Sequence, residues 1–222
     1  MYNFSTHSQE YEKALGRSHE YFIRVKCKEL LRSLRRLNYN PQKVLDLGCG
    51  TGEVERTLYR HFDEMTGIDL SEGIINEAKR KNIPKCKFKQ ANVLKLPLPN
   101  DYFDFVFSFC LLHHLPANEW EQVLKEAMRV SKKSSIILIF EHNPKNPVTR
   151  YIVSKSPIDE GITLISVARL VELYKALDIK VLARGFILFF PRFLSFLSPI
   201  EGLLHKVPYG GQYYIVGLVK NG

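Results

Sequence analysis

Apolar and polar positions change rhythm along this chain. Between residues 20 and 37, Ile23, Cys27, Leu30, Leu31, Leu34 and Leu37 recur at helical spacing with Arg and Lys between them, which predicts an amphipathic helix. From residue 43 two textures alternate. Short apolar runs at 44–47, 65–68, 103–109 and 135–140 read as strands. The longer stretches between them, 54–62, 72–81 and 118–130, keep a 3.6-residue period, and Ser71 is placed to cap the second. Residues 87–91 are a weaker strand candidate. Residues 166–177 read as a further helix, followed by strands at 179–183 and 212–219.

Strand and helix repeated in this order predict an α/β fold, a mostly parallel sheet wrapped on both faces. No internal repeat or low-complexity linker interrupts it. At 222 residues the chain is below the ~250 at which single cores split, so one domain spanning 1–222 is expected. Within it, residues 1–40 form an N-terminal helical segment. Residues 184–211, "RGFILFFPRFLSFLSPIEGLLHKVPYGG", form an apolar insertion before the last strand.

Composition adds two constraints. A formal charge of +9, from 32 Lys and Arg against 23 Asp and Glu, favours acidic surfaces or phosphorylated partners without bearing on the fold. Cys27, Cys49, Cys86 and Cys110 lie far apart with no CxxC pair. Cys49 and Cys110 sit in apolar strand-like runs, so they read as small buried hydrophobes in a reducing compartment. The first residues lack the apolar core of a signal peptide, and no stretch reaches the ~20 apolar residues of a membrane span. A cytoplasmic location is expected.

The candidate chemistry starts at "KVLDLGCGTGEVERTL", residues 43–58. Gly48, Gly50 and Gly52 strip three side chains from the first strand-to-helix turn, where backbone amides approach a ligand most closely in such sheets. A P-loop would need Lys-Ser/Thr after its last glycine, and Glu53-Val54 stands there. The dinucleotide spacing G-x-G-x-x-G is absent too. Asp46 before the glycines and Glu53 after them would repel a pyrophosphate and suit a ligand carrying positive charge.

"VLDLGCGTG" resembles the first motif of the class I S-adenosylmethionine-dependent methyltransferases, and the resemblance continues in order. "TGIDLSEGIINEAKRK" is similar to their second strand and its helix, "ANVLKLPLPNDYFDFVFSFCLLHHLP" to their third and fourth strands. "LKEAMRVSKKSSIILIFEHNP" is similar to the helix leading into the fifth. The similarity covers roughly residues 43–142. It implies a Rossmann-like seven-stranded sheet with the last strand antiparallel, and S-adenosyl-L-methionine as cofactor. Implied cofactor contacts are Asp46, Gly48, Cys49, Gly50 and Gly52 at the first turn and Asp69 with Leu70 at the second. Asn92 with Val93 and Phe109 complete them. Asp69 would take both ribose hydroxyls. Asn92 stands where the family often has Asp; its carbonyl can still accept from the adenine amino group, or it can simply cap a turn.

Methyl transfer asks the protein for alignment and sometimes for a base. His113 and His114 follow the fourth strand; Glu141 and His142 end the fifth. If those strands are neighbours, a histidine and a carboxylate meet at one pocket rim. His113 or His114 is then a candidate base with Glu141 orienting it, and His142 a further candidate. The same histidines could instead hold the loop. An alcohol acceptor needs a base most, so oxygen is favoured over nitrogen. No metal is expected, because nothing resembles the clustered acids of metal-dependent catechol enzymes.

In "EHNPKNPVTRYIV" two Asn-Pro pairs argue against helix before Thr149, leaving a loop that shapes an acceptor pocket, with Arg150 for an anionic group, or a rigid connector. The insertion, with Phe189, Phe190, Phe193, Phe196 and Leu197, is either a helix packed on the core, a lid over an apolar acceptor or a face resting on lipid. Together these point to a small-molecule acceptor, lipid-linked, glycan or otherwise amphipathic, with peripheral membrane contact as a candidate partner. The leading segment, with Tyr11, Tyr21 and Arg24, is a candidate cover for the cofactor. Two alternatives stand. An RNA methyltransferase fits the charge, but no appended RNA-binding module or basic–aromatic cluster is visible and no nucleic acid is expected. A non-catalytic cofactor-binding subunit would keep the loop and lack turnover. The oligomeric state is not readable from the sequence.

Overall fold

A long helix, α1 (Ser8–Arg36), leads into the sheet, and a computed structural model gives the arrangement. The structure describes residues 8–156, 159, 161–190 and 192–220; side chains are described from residue 20, apart from positions 192–193, 195 and 198–199. Tyr11 and Phe193 therefore lie outside the described side chains.

Seven strands, β1 (Lys43–Leu47), β2 (Glu64–Asp69), β3 (Cys86–Gln90), β4 (Phe103–Phe109), β5 (Ser131–His142), β6 (Ile179–Ile187) and β7 (Gln212–Val219), form one sheet in the order β3-β2-β1-β4-β5-β7-β6. All pair in parallel except β7, which runs antiparallel between β5 and β6. The expected seven-stranded, mostly parallel sheet with an antiparallel last strand is the one observed.

Each strand alternates which core it feeds. Val44, Met65, Phe105, Phe107, Leu138 and Phe140 face α1 and α2 (Glu53–Leu58). α3 (Glu72–Arg80) covers the neighbouring patch around Cys49, Ile75 and Phe88. On the opposite face, Leu45, Val106, Ile137 and Ile215 meet α4 (Trp120–Val130) and α6 (Val167–Ala176). The order reverses between β1 and β4, so the loops after those strands part and leave a crevice at the C-terminal edge of the sheet.

Local chemistry explains the helix starts. Ser71 and Ser166 accept the amides of Ile74 and Arg169. Asn146 accepts from Thr149 N at 2.9 Å and Pro147 opens α5 (Pro147–Lys155). This corrects the expectation of no helix before Thr149. Proline at the first helical position lacks only an amide that has no helical acceptor anyway, so Asn-Pro starts this helix instead of blocking it. Two other boundaries move. The predicted helix over 54–62 ends at Leu58 and continues as a short 3-10 turn at Tyr59–His61. β6 runs to Ile187, so the first residues of the supposed insertion are strand. The remainder holds a 3-10 stretch, Arg192–Leu197, and α7 (Ser198–Leu204).

Candidate functional site

The glycine turn after β1 is built as its sequence suggests. Gly48, Gly50 and Gly52 have φ of 79°, 55° and 81°, a left-handed sequence that residues with side chains resist. Gly48 N and Cys49 N both donate to Ile68 O, at 2.7 and 2.9 Å, which ties the turn to the end of β2. Asp69 secures it from the other side: one carboxylate oxygen accepts from Gly50 N at 3.1 Å, the other from Ser71 N at 3.0 Å. Each oxygen keeps a lone pair for a ribose diol. Burial pushes Asp69 upward, and the amide donors oppose it.

Around this turn the predicted contacts take different parts. The Cys49 side chain packs with Ile75, Ala78 and Phe88 beneath α3, so it offers the ligand backbone alone. Neither Cys49 nor Cys110 lies inside a strand as expected; both sit just past one, Cys110 with φ 59°. Leu70 is 64% exposed at the mouth of the crevice. Asn92 turns its carbonyl onto Leu94 N at 2.9 Å, closing its own turn, while its second lone pair stays available. Val93 buries its side chain, and Phe109 packs against Phe140 with a ring separation of 4.8 Å.

Beneath the turn lies a group the sequence does not announce. Asp46 is buried, and so is Glu55 on the first turns of α2, where in sequence it resembles any exposed helix acid. No donor of the described residues reaches either carboxyl. The two carboxyls interact with each other. Burial, reinforced by Glu55, holds Asp46 well above the usual carboxylate range; burial pushes Glu55 to about 8. Lys26 of α1 partly offsets this at Asp46 and Lys81 at Glu55; Lys26 is buried with its ammonium 5.0 Å from the Phe109 ring centre and 3.9 Å from Cys110 Sγ. A buried acid without a protein donor, under a turn of bare backbone, fits a ligand with a cationic head.

The second centre lies across the crevice, after β4 and β5, which are indeed neighbours. Glu141 is fully buried and holds two successive residues of the opposite loop: Oε1 accepts from Leu112 N at 2.7 Å and Oε2 meets His113 Nδ1 at 2.6 Å. The His113 ring lies 4.2 Å from that of His114 and 4.8 Å from that of His142. Asp159, which sequence reasoning misses, brings Oδ1 to 3.7 Å from His113 Nε2 and 3.9 Å from His114 Nε2. No periodicity or motif marks residue 159; the fold alone delivers it.

These neighbours separate the three imidazoles. Burial disfavours the His113 cation, but Glu141 and Asp159 outweigh it and raise this group to about 9. Burial and the His113 charge lower His114 to about 4 and His142 to about 3. Glu141 is lowered in turn, burial being overcome by His113, so the pair exists as imidazolium and carboxylate at neutral pH. His113, His114 and Asp159 could also hold a metal ion, since their donor atoms lie within 4.8 Å of one another.

Comparison with known proteins agrees with this layout. A family model described as a methyltransferase domain matches residues 44–134. The chain is 30% identical over 122 residues to a malonyl-[acyl-carrier protein] O-methyltransferase of Halorhodospira halophila, covering 52% of this chain and 40% of that protein. It is 30% identical over 173 residues to cycloartenol-C-24-methyltransferase of Arabidopsis thaliana, covering 68% and 51%. The chain thus spans about half the length of the curated relatives it matches. Among solved structures, a SAM-dependent methyltransferase of Thermotoga maritima, described as a possible histamine N-methyltransferase, superposes over 98% of both chains. The TM-score is 0.71 at 20% identity, a likeness of fold.

Proposed function

The chain belongs to the class I S-adenosylmethionine-dependent methyltransferases, and on that footing we propose that it methylates a hydroxyl of an amphipathic small molecule, with His113 taking the proton. S-adenosylmethionine, when bound, supplies the methyl group already activated on sulfur. The glycine turn, Asp69 and the Asp46–Glu55 pair would hold it, with Asp46 nearest its charged end.

What remains for the protein is to align the acceptor and take its proton. The observation that carries this reading is the buried His113–Glu141 contact at 2.6 Å, backed by Leu112 N. Glu141 engages Nδ1 of His113, and Nε2 faces Asp159 Oδ1 at 3.7 Å; in the proposed reaction a neutral His113 would keep its proton on Nδ1 and take the acceptor's at Nε2. Of the three imidazoles, His113 alone is made more basic than usual; His114 and His142 are too weak to draw a proton from an alcohol. Asp159 faces Nε2 and must yield that place to the acceptor. An open cavity of about 700 Å³, lined by Arg150, Tyr151, Asp159, Ile162 and Leu164, leads to it. Its mixed lining, and relatives named for cycloartenol and for malonyl-[acyl-carrier protein], support an amphipathic acceptor.

The test has two arms. Calorimetry should show S-adenosylmethionine binding to the wild type and at least tenfold weaker binding to Asp69→Ala, since a diol–carboxylate contact is worth about 1.5–3 kcal/mol. Labelled-methyl transfer to a panel of amphipathic alcohols should give a kcat/KM that rises with pH toward about 9 and collapses in His113→Asn. Transfer that is flat with pH and indifferent to His113→Asn would remove the base and leave an alignment-only enzyme.

A further inference from the structure

All nine exposed large apolar side chains of the described residues lie at one edge of the sheet. None lies in the loops at the opposite edge. Val148, Tyr151 and Ile152 of α5 are 63%, 65% and 59% exposed, spaced to share one helix face while Thr149 and Val153 face inward. Leu203 and Tyr209, on and after α7, are 81% and 62% exposed, and Phe196 is 71% exposed. This is the edge where the strands β1, β4 and β5 end and where the crevice opens.

The two apolar stretches form one surface. Asn143 Nδ2 donates to Pro208 O, Asn146 Nδ2 to Tyr209 O at 2.6 Å, and Thr149 Oγ1 to Gly211 O at 2.9 Å, so the start of α5 is stitched to the 208–211 loop. Cations are interleaved with the apolar groups: Lys145, Arg150, Lys155 and Lys206 are all exposed. Residues 143–155 and 203–211 contain no Asp or Glu.

We propose that this rim rests on an anionic lipid bilayer. Apolar side chains would enter the headgroup boundary while the four cations meet lipid phosphates, the pattern of an interfacial surface. No described helix is long and apolar enough to cross a membrane, so the contact is one of face to surface. A second copy of the chain fits less well, because a twofold contact would set these four cations against the same four. The cavity beside α5 is lined by Arg150 and Tyr151 of this rim and by Asp159, so it adjoins the proposed lipid surface. That the acceptor enters from the bilayer rests on the proposed methyl transfer; the docking itself does not.

Full-length protein is sedimented with vesicles of phosphatidylcholine containing 30% phosphatidylglycerol, and with phosphatidylcholine alone. Binding is expected for the anionic vesicles at about 0.1 M salt, and a large loss of it at 0.5 M. Val148→Ser with Ile152→Ser should weaken it tenfold or more. Lys145→Glu with Lys155→Glu should cost about fivefold or more for each cation lost. Calorimetric affinity for S-adenosylmethionine should not change in any of these variants, which separates failure of the rim from failure of the methyltransferase reading. Wild-type protein that ignores anionic vesicles, or variants that bind them as well as it does, would overturn the proposal. So would a dimer that both double variants abolish in the absence of vesicle binding, which would give the face to a second copy.

Discussion

Replacing Glu141 with glutamine tests the electrostatics of the site directly. Glu141 is completely buried and contacts His113 at 2.6 Å, itself 1% exposed, so solvent screens little of the interaction. Raising an imidazole from 6.5 to about 9 corresponds to about 3 kcal/mol. Because the folded pKa lies above the unfolded one, this stabilisation is complete below about pH 6.5 and disappears as pH rises through about 9. Glutamine keeps the shape and can still accept from Leu112 N, but it removes the charge that balances the imidazolium. Asp159 remains, so part of the rise survives. Glu141→Gln should therefore cost about 2 kcal/mol more at about pH 6 than at about pH 9.5 in urea unfolding, the order expected when one partner of a buried pair is removed. The His113 ring proton, followed by NMR, should titrate well below its wild-type midpoint. A penalty equal at both pH values, with an unmoved His113 titration, would refute the ion pair.

Two further substitutions probe the scaffold. At Gly67 an added Cβ would stand 2.7 Å from Glu55 Oε1 and 2.8 Å from both Cys49 Cβ and Phe88 Cδ1. Gly67→Ala should therefore cost about 1–3 kcal/mol, read as a lowered melting temperature, and weaken cofactor affinity by pushing the glycine turn. Asn146→Ala removes the cap of α5 and the bond to Tyr209 O, and should cost about 1–2 kcal/mol by urea unfolding with the cofactor site intact.

The parts of this molecule legible in its sequence are those written in periodicity or in glycine. Strands of the central sheet announce themselves as apolar runs because they are buried on both faces, and the turn after β1 because three left-handed positions demand glycine. The histidine–carboxylate meeting is readable too, since it follows once β4 and β5 are neighbours. Glu55 is not, because a helix carboxylate inside "GEVERTL" looks solvated until the sheet beneath it is placed. Lys26 reads as part of the polar face of α1, yet that helix is covered on more than one side: Lys26, Glu29 and Ser33 are all buried. Asp159 belongs to no apolar periodicity or motif, so the sequence carries no information on what it approaches. The start of α5 is hidden for the opposite reason, a strong local rule about proline that has its exception at helix starts.

The place of β7 has a consequence for how the protein comes to be made. Residues 212–219 are inserted between β5 and β6, and Gln212 stands opposite His142 and donates to Cys110 Sγ at 3.2 Å. During synthesis, β5, already paired with β4 on one side, keeps its other edge open, and β6 stays without any partner, until this segment leaves the ribosome. A nascent chain halted before residue 212 would carry every motif that identifies the family and still present an unpaired strand, β6, and one open edge of β5. The candidate site, assembled from residues scattered between 26 and 212, would thus come together last, and stalled chains should be substrates for chaperones and proteases.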